Sequence, residues 1–257
     1  MKKILTLFMV ALMAITLTAC SSNSEADSDK KTVTYTIGVS PDYPPYESLD
    51  TDNNVIGFDA DMVALFPSYL ETDDTVYEFE WVKMDFDNIV TQIQAGQIDL
   101  GISGFTYAED RKVEWSDPYT ATSQIAVVKK DSAIKTSADL KGKVLAAQTS
   151  STGEDVAKDV ENATVNSLKD VKMIFQGLKA DQYDAAIVDL AVAQQYVKEN
   201  DDLVMIDETL LDEKNYIIAK EGNTDTIKVV NKALKKFLAS DDYDTLCEKY
   251  GLKKLED

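Results

Sequence analysis

The sequence contains no histidine and only two cysteines, Cys20 and Cys247. The absence of histidine removes the commonest metal ligand and the commonest general base found in proteins. With Cys20 consumed in N-terminal processing, Cys247 has no partner for an intrachain disulfide, and the helical pattern around it favours plain packing. No P-loop pattern occurs in the chain either, so nucleotide hydrolysis would have to come from another protein. We expect no metal and no cofactor.

Basic residues are scarce beside acidic ones, at 26 against 46, which gives a formal charge of −20. Loss of Lys2 and Lys3 with an N-terminal signal would move this charge to −22. Such an acidic surface argues against nucleic-acid binding, and solubility is its simplest meaning. The roughly 225 residues after the N-terminal region are enough for one large domain or for two lobes of ordinary size.

The N-terminus has the pattern of a secretory signal over residues 1–19. Two lysines precede an apolar run over residues 4–17, and Leu-Thr-Ala-Cys follows, ending at Cys20. This end resembles a lipobox, so we expect cleavage before Cys20 and a lipid on its thiol; the alternative is an ordinary signal with an incidental cysteine. The polar stretch over residues 20–31 then serves as a flexible tether. The apolar run is too short for a transmembrane helix.

The most informative segment is QIDLGISGFTYAEDRKVEWSDPY, which covers Gln97–Tyr119. Residues Ile98, Leu100 and Ile102 alternate as in a buried strand. The strand continues into Ser-Gly-Phe-Thr, and Arg111 follows shortly afterwards. Hydroxyls and exposed backbone beside an arginine suit a small carboxylate, because the planar guanidinium can bind both of its oxygens. No nucleophile with a neighbouring base is evident in this segment.

Several ordered motifs resemble one family, the extracytoplasmic solute-binding proteins of ABC transporters for polar amino acids. The motifs are the segment above, GVSPDYPPYE (Gly38–Glu47), GFDADM (Gly57–Met62) and DLKGKVLAAQTSST (Asp139–Thr152). The resemblance extends from about Tyr35 to Leu252. It implies an α/β fold of the type II periplasmic-binding-protein kind, with two lobes, a ligand cleft between them and two hinge strands.

Periodicity predicts the individual elements. Residues Val33–Val39 alternate as a strand, and Asp59–Tyr69 has a helical apolar face in which Pro67 should kink or end the helix early. A second helix should begin at Phe86 with Asp85 as its cap. The sequence AGQID followed by Ile102 recurs 85 residues later as ADQYD followed by Ile187. Each copy is expected to join a helix to a buried strand, unless the similarity of two ordinary turns is chance.

Two chain crossings are expected between the lobes, near Thr120–Gln124 and near Leu211–Ile217. Lobe 1 would then contain residues 32–120 and 218–257, and lobe 2 would contain residues 121–217. Ligands of such sheets favour the carboxyl ends of the strands, and two crossing strands suit hinge closure.

A free amino acid presents a carboxylate and an ammonium, and burying both requires a partner for each charge. The resemblance and the charge assign Arg111 to the carboxylate; the alternative is a surface salt bridge with Glu109 or Asp110. Ser150-Ser151-Thr152 should assist from a helix start, although the family usually has glycine at the position of Ser150. A serine there is tolerable if its backbone dihedral is ordinary.

The resemblance assigns Asp189 to the ammonium, with the Ser103 carbonyl and the Thr106 hydroxyl completing its three hydrogen bonds. The alternative for Asp189 is capping of the following helix. Tyr43 and Phe86 match aromatic walls of the family, with core packing as the alternative, above all for Phe86.

Side-chain specificity should come from Ser40 and Gln148. Many relatives have an acid at the position of Ser40, where it meets a basic or amide side chain of the ligand. Because Ser40 and Gln148 are both neutral, we expect an uncharged polar amino acid. A cationic ligand stays open through Tyr43, Phe86 and nearby acids such as Asp42 or Asp85. The full expected site is Ser40, Tyr43, Phe86, Ser103, Gly104, Thr106, Arg111, Gln148, Ser151, Thr152 and Asp189.

The expected function is capture of an extracellular amino acid and its delivery to the permease and ATPase of an ABC importer. The chain would act as a monomer, lipid-anchored through Cys20 on the outer face of the cytoplasmic membrane, and not as an enzyme. One alternative is a dehydratase or glycan-cleaving enzyme that uses Asp42, Asp85 or Asp189. Another is an amino-acid sensor acting through a separate protein.

Overall fold

The structure, a computed structural model, describes residues 30–256. The predicted signal over 1–19, the lipid attachment at Cys20 and most of the predicted tether lie outside the described residues. Within the described range the chain forms ten strands and seven α-helices. The strands are β1 (Lys31–Val39), β2 (Ser48–Leu49), β3 (Val55–Ile56), β4 (Thr75–Lys83), β5 (Leu100–Gly101), β6 (Val113–Lys129), β7 (Val144–Gln148), β8 (Thr164–Leu168), β9 (Ala185–Asp189) and β10 (Leu203–Lys220). The helices are α1 (Phe58–Leu70), α2 (Phe86–Gln94), α3 (Thr152–Asp159), α4 (Val171–Lys179), α5 (Leu190–Glu199), α6 (Thr224–Leu238) and α7 (Asp241–Tyr250).

Two long antiparallel strands, β6 and β10, run through the middle of an eight-stranded sheet with the order β4-β1-β5-β10-β6-β9-β7-β8. Near one end β10 pairs with β5, where Ile218 lies opposite Gly101. Further along, β6 pairs with β9, where Gln124 lies opposite Asp189. We call the strands β4, β1 and β5 with their helices the β1 half, and β9, β7 and β8 with theirs the β9 half. The two halves share β6 and β10, which confirms the expected α/β architecture.

The predicted elements are present, with three local corrections. Helix α1 continues past Pro67 to Leu70, so the expected early end is wrong. Pro67 removes one backbone hydrogen bond from the helix, and the buried side chains of Phe66 and Leu70 anchor the last turn in spite of this loss. The strand expected over Ile98–Ile102 is reduced to the two residues of β5.

Asp85 occupies the position before α2 but makes no capping hydrogen bond, which is the third correction. Its carboxylate instead lies 3.1 Å from the Lys169 ammonium, a residue of the β9 half. The prediction located the helix start correctly. It could not anticipate a lysine more than eighty positions away that attracts the carboxylate out of the capping geometry.

The repeated AGQID and ADQYD segments have the same local structure. Gly96 and Asp181, at matching positions after α2 and α4, both adopt the left-handed conformation, with φ of 68° and 58°. The carboxylate of Asp99 accepts a backbone N–H of β1 at 2.8 Å, and that of Asp184 accepts a backbone N–H of β7 at 2.7 Å. Each half therefore fastens its helix-to-strand turn to the adjacent parallel strand through the same aspartate.

The apolar core extends through both halves, and Cys247 on α7 is buried within it. Burial raises the pKa of this thiol to about 11, so the prediction of a packed cysteine is confirmed. None of the helices within residues 30–256 combines the length and the apolar character that a membrane crossing needs.

Candidate functional site

Ten of the eleven residues predicted from the sequence line one cavity where the two halves meet. They are Tyr43, Phe86, Ser103, Gly104, Thr106, Arg111, Gln148, Ser151, Thr152 and Asp189. The cavity has a volume of about 10 Å³, which is room for a single water molecule. An amino acid cannot enter a space of this size, so ligand entry requires the two halves to separate.

The eleventh residue, Ser40, lies behind the cavity wall. Its backbone N–H donates to the Ser103 hydroxyl at 3.0 Å, and its own hydroxyl donates to Asp42 at 2.7 Å. The Ser103 hydroxyl in turn donates to the buried Glu47 carboxylate at 2.7 Å. Ser40 therefore supports the end of the β1 half instead of lining the cavity directly.

Arg111 is the only arginine in the sequence. Its guanidinium lies over the rings of Phe105 and Trp115, 5.3 and 5.8 Å from their centroids. It donates to the carbonyl of Thr106 in the β1 half at 2.9 Å and to the carbonyl of Ser150 in the β9 half at 2.8 Å. Burial lowers the pKa of Arg111, although the group stays charged at any physiological pH.

No carboxylate lies within 4.0 Å of the Arg111 nitrogens in the described part of the chain, so the alternative of a salt bridge with Glu109 or Asp110 is wrong. A guanidinium held by aromatic rings and two carbonyls keeps its positive charge uncompensated. Such a group is suited to an incoming carboxylate.

The Ser150-Ser151-Thr152 turn leads into α3, as predicted. The Ser151 hydroxyl caps the helix by accepting the Glu154 N–H at 3.1 Å, and the helix begins at Thr152. Ser150, however, has a φ of 66°, which is left-handed. The dihedral is therefore not the ordinary one that would make serine equivalent to the glycine of the family. Serine is the more strained residue at this position.

The end of the β1 half requires a glycine. Gly104 has a φ of 57°, and a Cβ built there would lie 3.3 Å from the Tyr43 ring. Because the turn is left-handed and the ring passes close by, glycine at this position allows Tyr43 to cover the cavity. The Tyr43 hydroxyl accepts the backbone N–H of Asp189 from the other half at 3.1 Å.

Phe86 borders both the cavity and the apolar core. It lines the cavity, and it also packs in a buried cluster where its ring stacks on Phe105 with centroids 4.6 Å apart. The sequence analysis missed Phe105, whose ring centroid lies 5.3 Å from the Arg111 guanidinium. A signal was available, because Phe105 is the one large apolar residue in the otherwise small and polar Ser-Gly-Phe-Thr turn.

Asp189 is buried at the end of β9 and makes no side-chain cap to α5, so the capping alternative is wrong. Its carboxylate accepts from the Gln124 amide and, at 3.4 Å, from the Thr122 hydroxyl. Burial, together with the nearby negative charge of Glu213, raises the pKa of Asp189 to about 7. A buried carboxylate in this setting is stabilised by a cation.

Three polar residues on the two shared strands were missed: Gln124 on β6, and Glu213 and Asn215 on β10. Asn215 is fully buried and donates to the Gly104 carbonyl at 3.1 Å. The signal was the period of two along β10, which puts Glu213 on the same face as the buried Asn215 and Ile217. The sequence analysis treated this segment only as a crossing.

A further acid, Asp42, lies beside Gln148. One oxygen of its carboxylate accepts from Gln148 at 3.1 Å and from the N–H of Val171, the first residue of α4, at 2.8 Å. Burial raises the pKa of Asp42, and the hydrogen bonds from the Val171 N–H and the Ser40 hydroxyl oppose the rise. Asp42 belongs to the β1 half, whereas Gln148 and Val171 belong to the β9 half, so the carboxylate joins the halves across the cleft.

With this geometry established, comparison with known proteins identifies the family. The sequence profile of the bacterial extracellular solute-binding proteins, family 3, matches residues 35–253. The chain belongs to this family. The match covers nearly all of both halves, and it agrees with the resemblance drawn from the motifs.

Individual relatives support the same assignment along their full lengths. The arginine-binding extracellular protein ArtP of Bacillus subtilis (strain 168) is 34% identical over 258 residues, covering 97% of this chain and 98% of the relative. The ABC transporter glutamine-binding protein GlnH of the same strain is 30% identical, with 97% of each chain covered. A crystal structure of the substrate-binding protein of an amino acid ABC transporter has a TM-score of 0.79 and 31% identity, covering 85% of this chain and 99% of that one. The predicted two-lobed, type II periplasmic-binding-protein-like fold is thereby confirmed.

The family member described here has its two halves closed on each other. The Thr106 and Thr152 hydroxyls lie 2.7 Å apart across the cleft, and Lys169 forms ion pairs with Asp85 and Asp87 of the β1 half at 3.1 and 3.0 Å. The contacts of Arg111, Asp42 and Tyr43 described above also cross the cleft. Each of these contacts would be lost on opening, and an amino acid in the cleft would have to replace part of them.

Proposed function

We propose that this chain binds a free amino acid outside the cytoplasmic membrane and delivers it to an ABC importer by closure of its two halves. The main support for the proposal is that Arg111 and Asp189, two groups of opposite charge, line the same cavity. Arg111 is a guanidinium without a carboxylate partner in residues 30–256, and Asp189 is a buried carboxylate without a cation there. An amino acid supplies the missing charge to both groups at once.

The favoured ligand is a cationic amino acid, with arginine first. Asp42, Asp189 and Glu213 provide three carboxylates around a cleft that contains one guanidinium, so a ligand with a net positive charge is favoured over a zwitterion. Many relatives have an acid at the position of Ser40 that contacts the ligand side chain. In this chain Asp42 can supply that carboxylate, because it is hydrogen-bonded to both Ser40 and Gln148. The arginine-binding relative ArtP supports this choice. The expectation of an uncharged side chain was based on Ser40 and Gln148, and it left a cationic ligand open through acids such as Asp42.

The remaining assignments are part of the same proposal. Residues 32–120 and 218–257 form lobe 1, and residues 121–217 form lobe 2, with β6 and β10 as the hinge strands. Cys20 carries a lipid that holds the protein at the membrane, and the mature chain is a monomer that docks on a permease driven by an ATPase. Mass spectrometry of the native lipoprotein and light scattering of the soluble form without Cys20 test these points.

The deciding experiment is thermal unfolding of the mature protein, unfolded and refolded to remove carried-over ligand, against the twenty amino acids plus ornithine, citrulline and cystine. A ligand that binds only the folded state raises the melting temperature by mass action. We expect the largest rise with arginine, its loss in Arg111→Ala and Asp189→Ala, and its retention in Lys112→Ala, which removes a neighbouring exposed cation. Absence of a rise with every amino acid would refute the proposal.

An enzyme on the same scaffold is the competing function. Of its three candidate acids, Asp85 is paired with Lys169 and Asp42 joins the two halves through Gln148 and Val171, whereas Asp189 lines the cavity. Incubating the bound ligand with the protein and following its mass separates the two functions. An unchanged mass is expected for a binding protein, and conversion of the ligand would establish an enzyme.

A further inference from the structure

Glu213 stands in the cleft without a role in the family resemblance. It lies on β10 opposite Thr122 of β6, at the level where the two halves join. One oxygen of its carboxylate accepts from the Thr152 hydroxyl at 3.0 Å and from the Gln124 amide nitrogen at 2.8 Å. Burial raises the pKa of Glu213, and the positive charge of Arg111 opposes this effect.

The same Gln124 nitrogen also donates to Asp189, so two carboxylates converge on one neutral amide. Within residues 30–256, no lysine or arginine nitrogen lies within 4.0 Å of either carboxylate. An amide can satisfy hydrogen bonds, but it cannot compensate two negative charges in a closed cleft. The Asp189 and Glu213 carboxylates therefore lack a cation that would bind one oxygen of each.

We propose that Glu213 is a second carboxylate for the ammonium group of the ligand, acting together with Asp189. The inference rests on the proposed function, since it adds a residue to the same site. An ammonium has three N–H donors, so it can bind both carboxylates and still reach the Thr106 hydroxyl. It would take over the acceptor atoms that Gln124 and Thr152 occupy in this closed structure.

The position of Glu213 identifies the ammonium as its partner, and not the ligand's side chain. Its hydrogen-bond partners lie with Asp189 and with the Thr106–Thr152 contact, where the backbone end of an amino acid is expected. Asp42, at the expected side-chain end, shares no hydrogen-bond partner with Glu213 among the described residues. The two acids consequently act on different parts of the ligand.

The test compares a ligand that has the α-amino group with one that lacks it. The affinities of L-arginine and 5-guanidinopentanoic acid are measured by calorimetry on wild type, Glu213→Gln and the matched control Asp212→Asn, an exposed neighbour on β10. If another amino acid stabilises the wild type most, the experiment uses that amino acid and the matching acid without its α-amino group. We expect Glu213→Gln to weaken the amino acid by about tenfold or more. Binding of the deamino acid should be unchanged or tighter, and Asp212→Asn should match wild type for both.

Equal weakening of both ligands by Glu213→Gln would overturn the assignment, because it would indicate a general effect on the cleft. Identical behaviour of Glu213→Gln and Asp212→Asn would overturn it as well. In both cases wild type still binds the amino acid, so the proposed function survives. Failure of the wild type to bind any amino acid would instead remove both. If Glu213→Gln does not fold, Glu213→Asp provides the same comparison, since it keeps the charge and withdraws it by one methylene.

Discussion

Glu47 and Asp59 lie side by side, fully buried, behind the strand end that carries Ser103 and Gly104. Glu47 is hydrogen-bonded to the Ser103 hydroxyl, and Asp59 to the Tyr119 hydroxyl at 3.2 Å. Burial raises the pKa of both carboxyls, that of Asp59 to about 7 and that of Glu47 well above its usual range. Both carboxyls therefore retain their protons to a higher pH than they would in water.

This pair should make the ligand-free protein more stable in mild acid than in base. The folded carboxyls bind protons up to a higher pH than in the unfolded chain, where ordinary values are 3.8 for Asp and 4.5 for Glu. Their stabilisation is thus complete below about pH 4 and decreases as the pH rises through 7 and beyond. We expect the melting temperature to fall by several degrees between pH 5 and pH 8.5. Glu47→Gln, which keeps a donor without a titrating proton, should flatten the profile, whereas Asp52→Asn in an exposed loop should leave it unchanged.

Replacing Ser150 by glycine should stabilise the protein. Serine at a φ of 66° costs the folded state about 1–2 kcal/mol of backbone strain that glycine avoids. Glycine in turn loses more conformational entropy on folding, which reduces this gain by about 0.5–1 kcal/mol. The net expectation is an increase of about 0.5–1 kcal/mol in the free energy of unfolding, measured by denaturant titration. Ser68→Gly, at an exposed position of α1 with ordinary dihedrals, should have the opposite sign. Destabilisation by Ser150→Gly would mean that the serine side chain contributes more than the strain.

Asp42 should discriminate between ligand side chains. Asp42→Asn keeps the oxygen that accepts from Val171 but removes the negative charge, so a charge-assisted hydrogen bond of about 1.5–3 kcal/mol becomes a neutral one. We expect the affinity for arginine to fall by about tenfold or more, and the affinity for glutamine to change much less. Competition binding with both amino acids measures the ratio. An equal loss for the two would assign Asp42 to closure alone.

Trp115 should report ligand binding by fluorescence. The sequence has two tryptophans, and only Trp115 lies against the Arg111 guanidinium, whereas Trp81 is on β4 at the sheet edge. A ligand carboxylate on Arg111 changes the electric field at the Trp115 ring, so emission should shift on titration. Trp115→Phe should abolish the change, and Trp81→Phe should keep it. A signal that disappears with Trp81 would contradict this location of the ligand.

The residues that sequence alone located share one property: they stand at strand ends or helix starts. Ser103 follows β5, Asp189 ends β9, and Thr152 begins α3, and these places are marked by motifs and by a change of period. Gln124 and Glu213 lie inside the long strands β6 and β10, where the period of two indicates which face a residue is on but not what that face contacts. Their role depends on which strand lies opposite, which is information that local pattern does not contain.

The same limit explains the errors in detail. The Ser150 carbonyl accepts a hydrogen bond from Arg111 of the other half, and the Asp85 carboxylate is paired with a lysine of the other half. Both depend on how the two halves meet. The fold class required only the alternation of strands and helices and the ordered motifs, each of which is local.

The single arginine gives this protein a built-in site for measuring access to the cleft by chemical labelling. A dicarbonyl reagent selective for guanidinium groups would label the chain at one position, and that position is screened by aromatic rings and by the Ser150 carbonyl of the opposite half. The change in labelling rate on ligand addition then reports how access to this guanidinium changes, with no engineered probe and no knowledge of the ligand. Because every other basic residue is lysine, the label can be read from the mass of the intact protein.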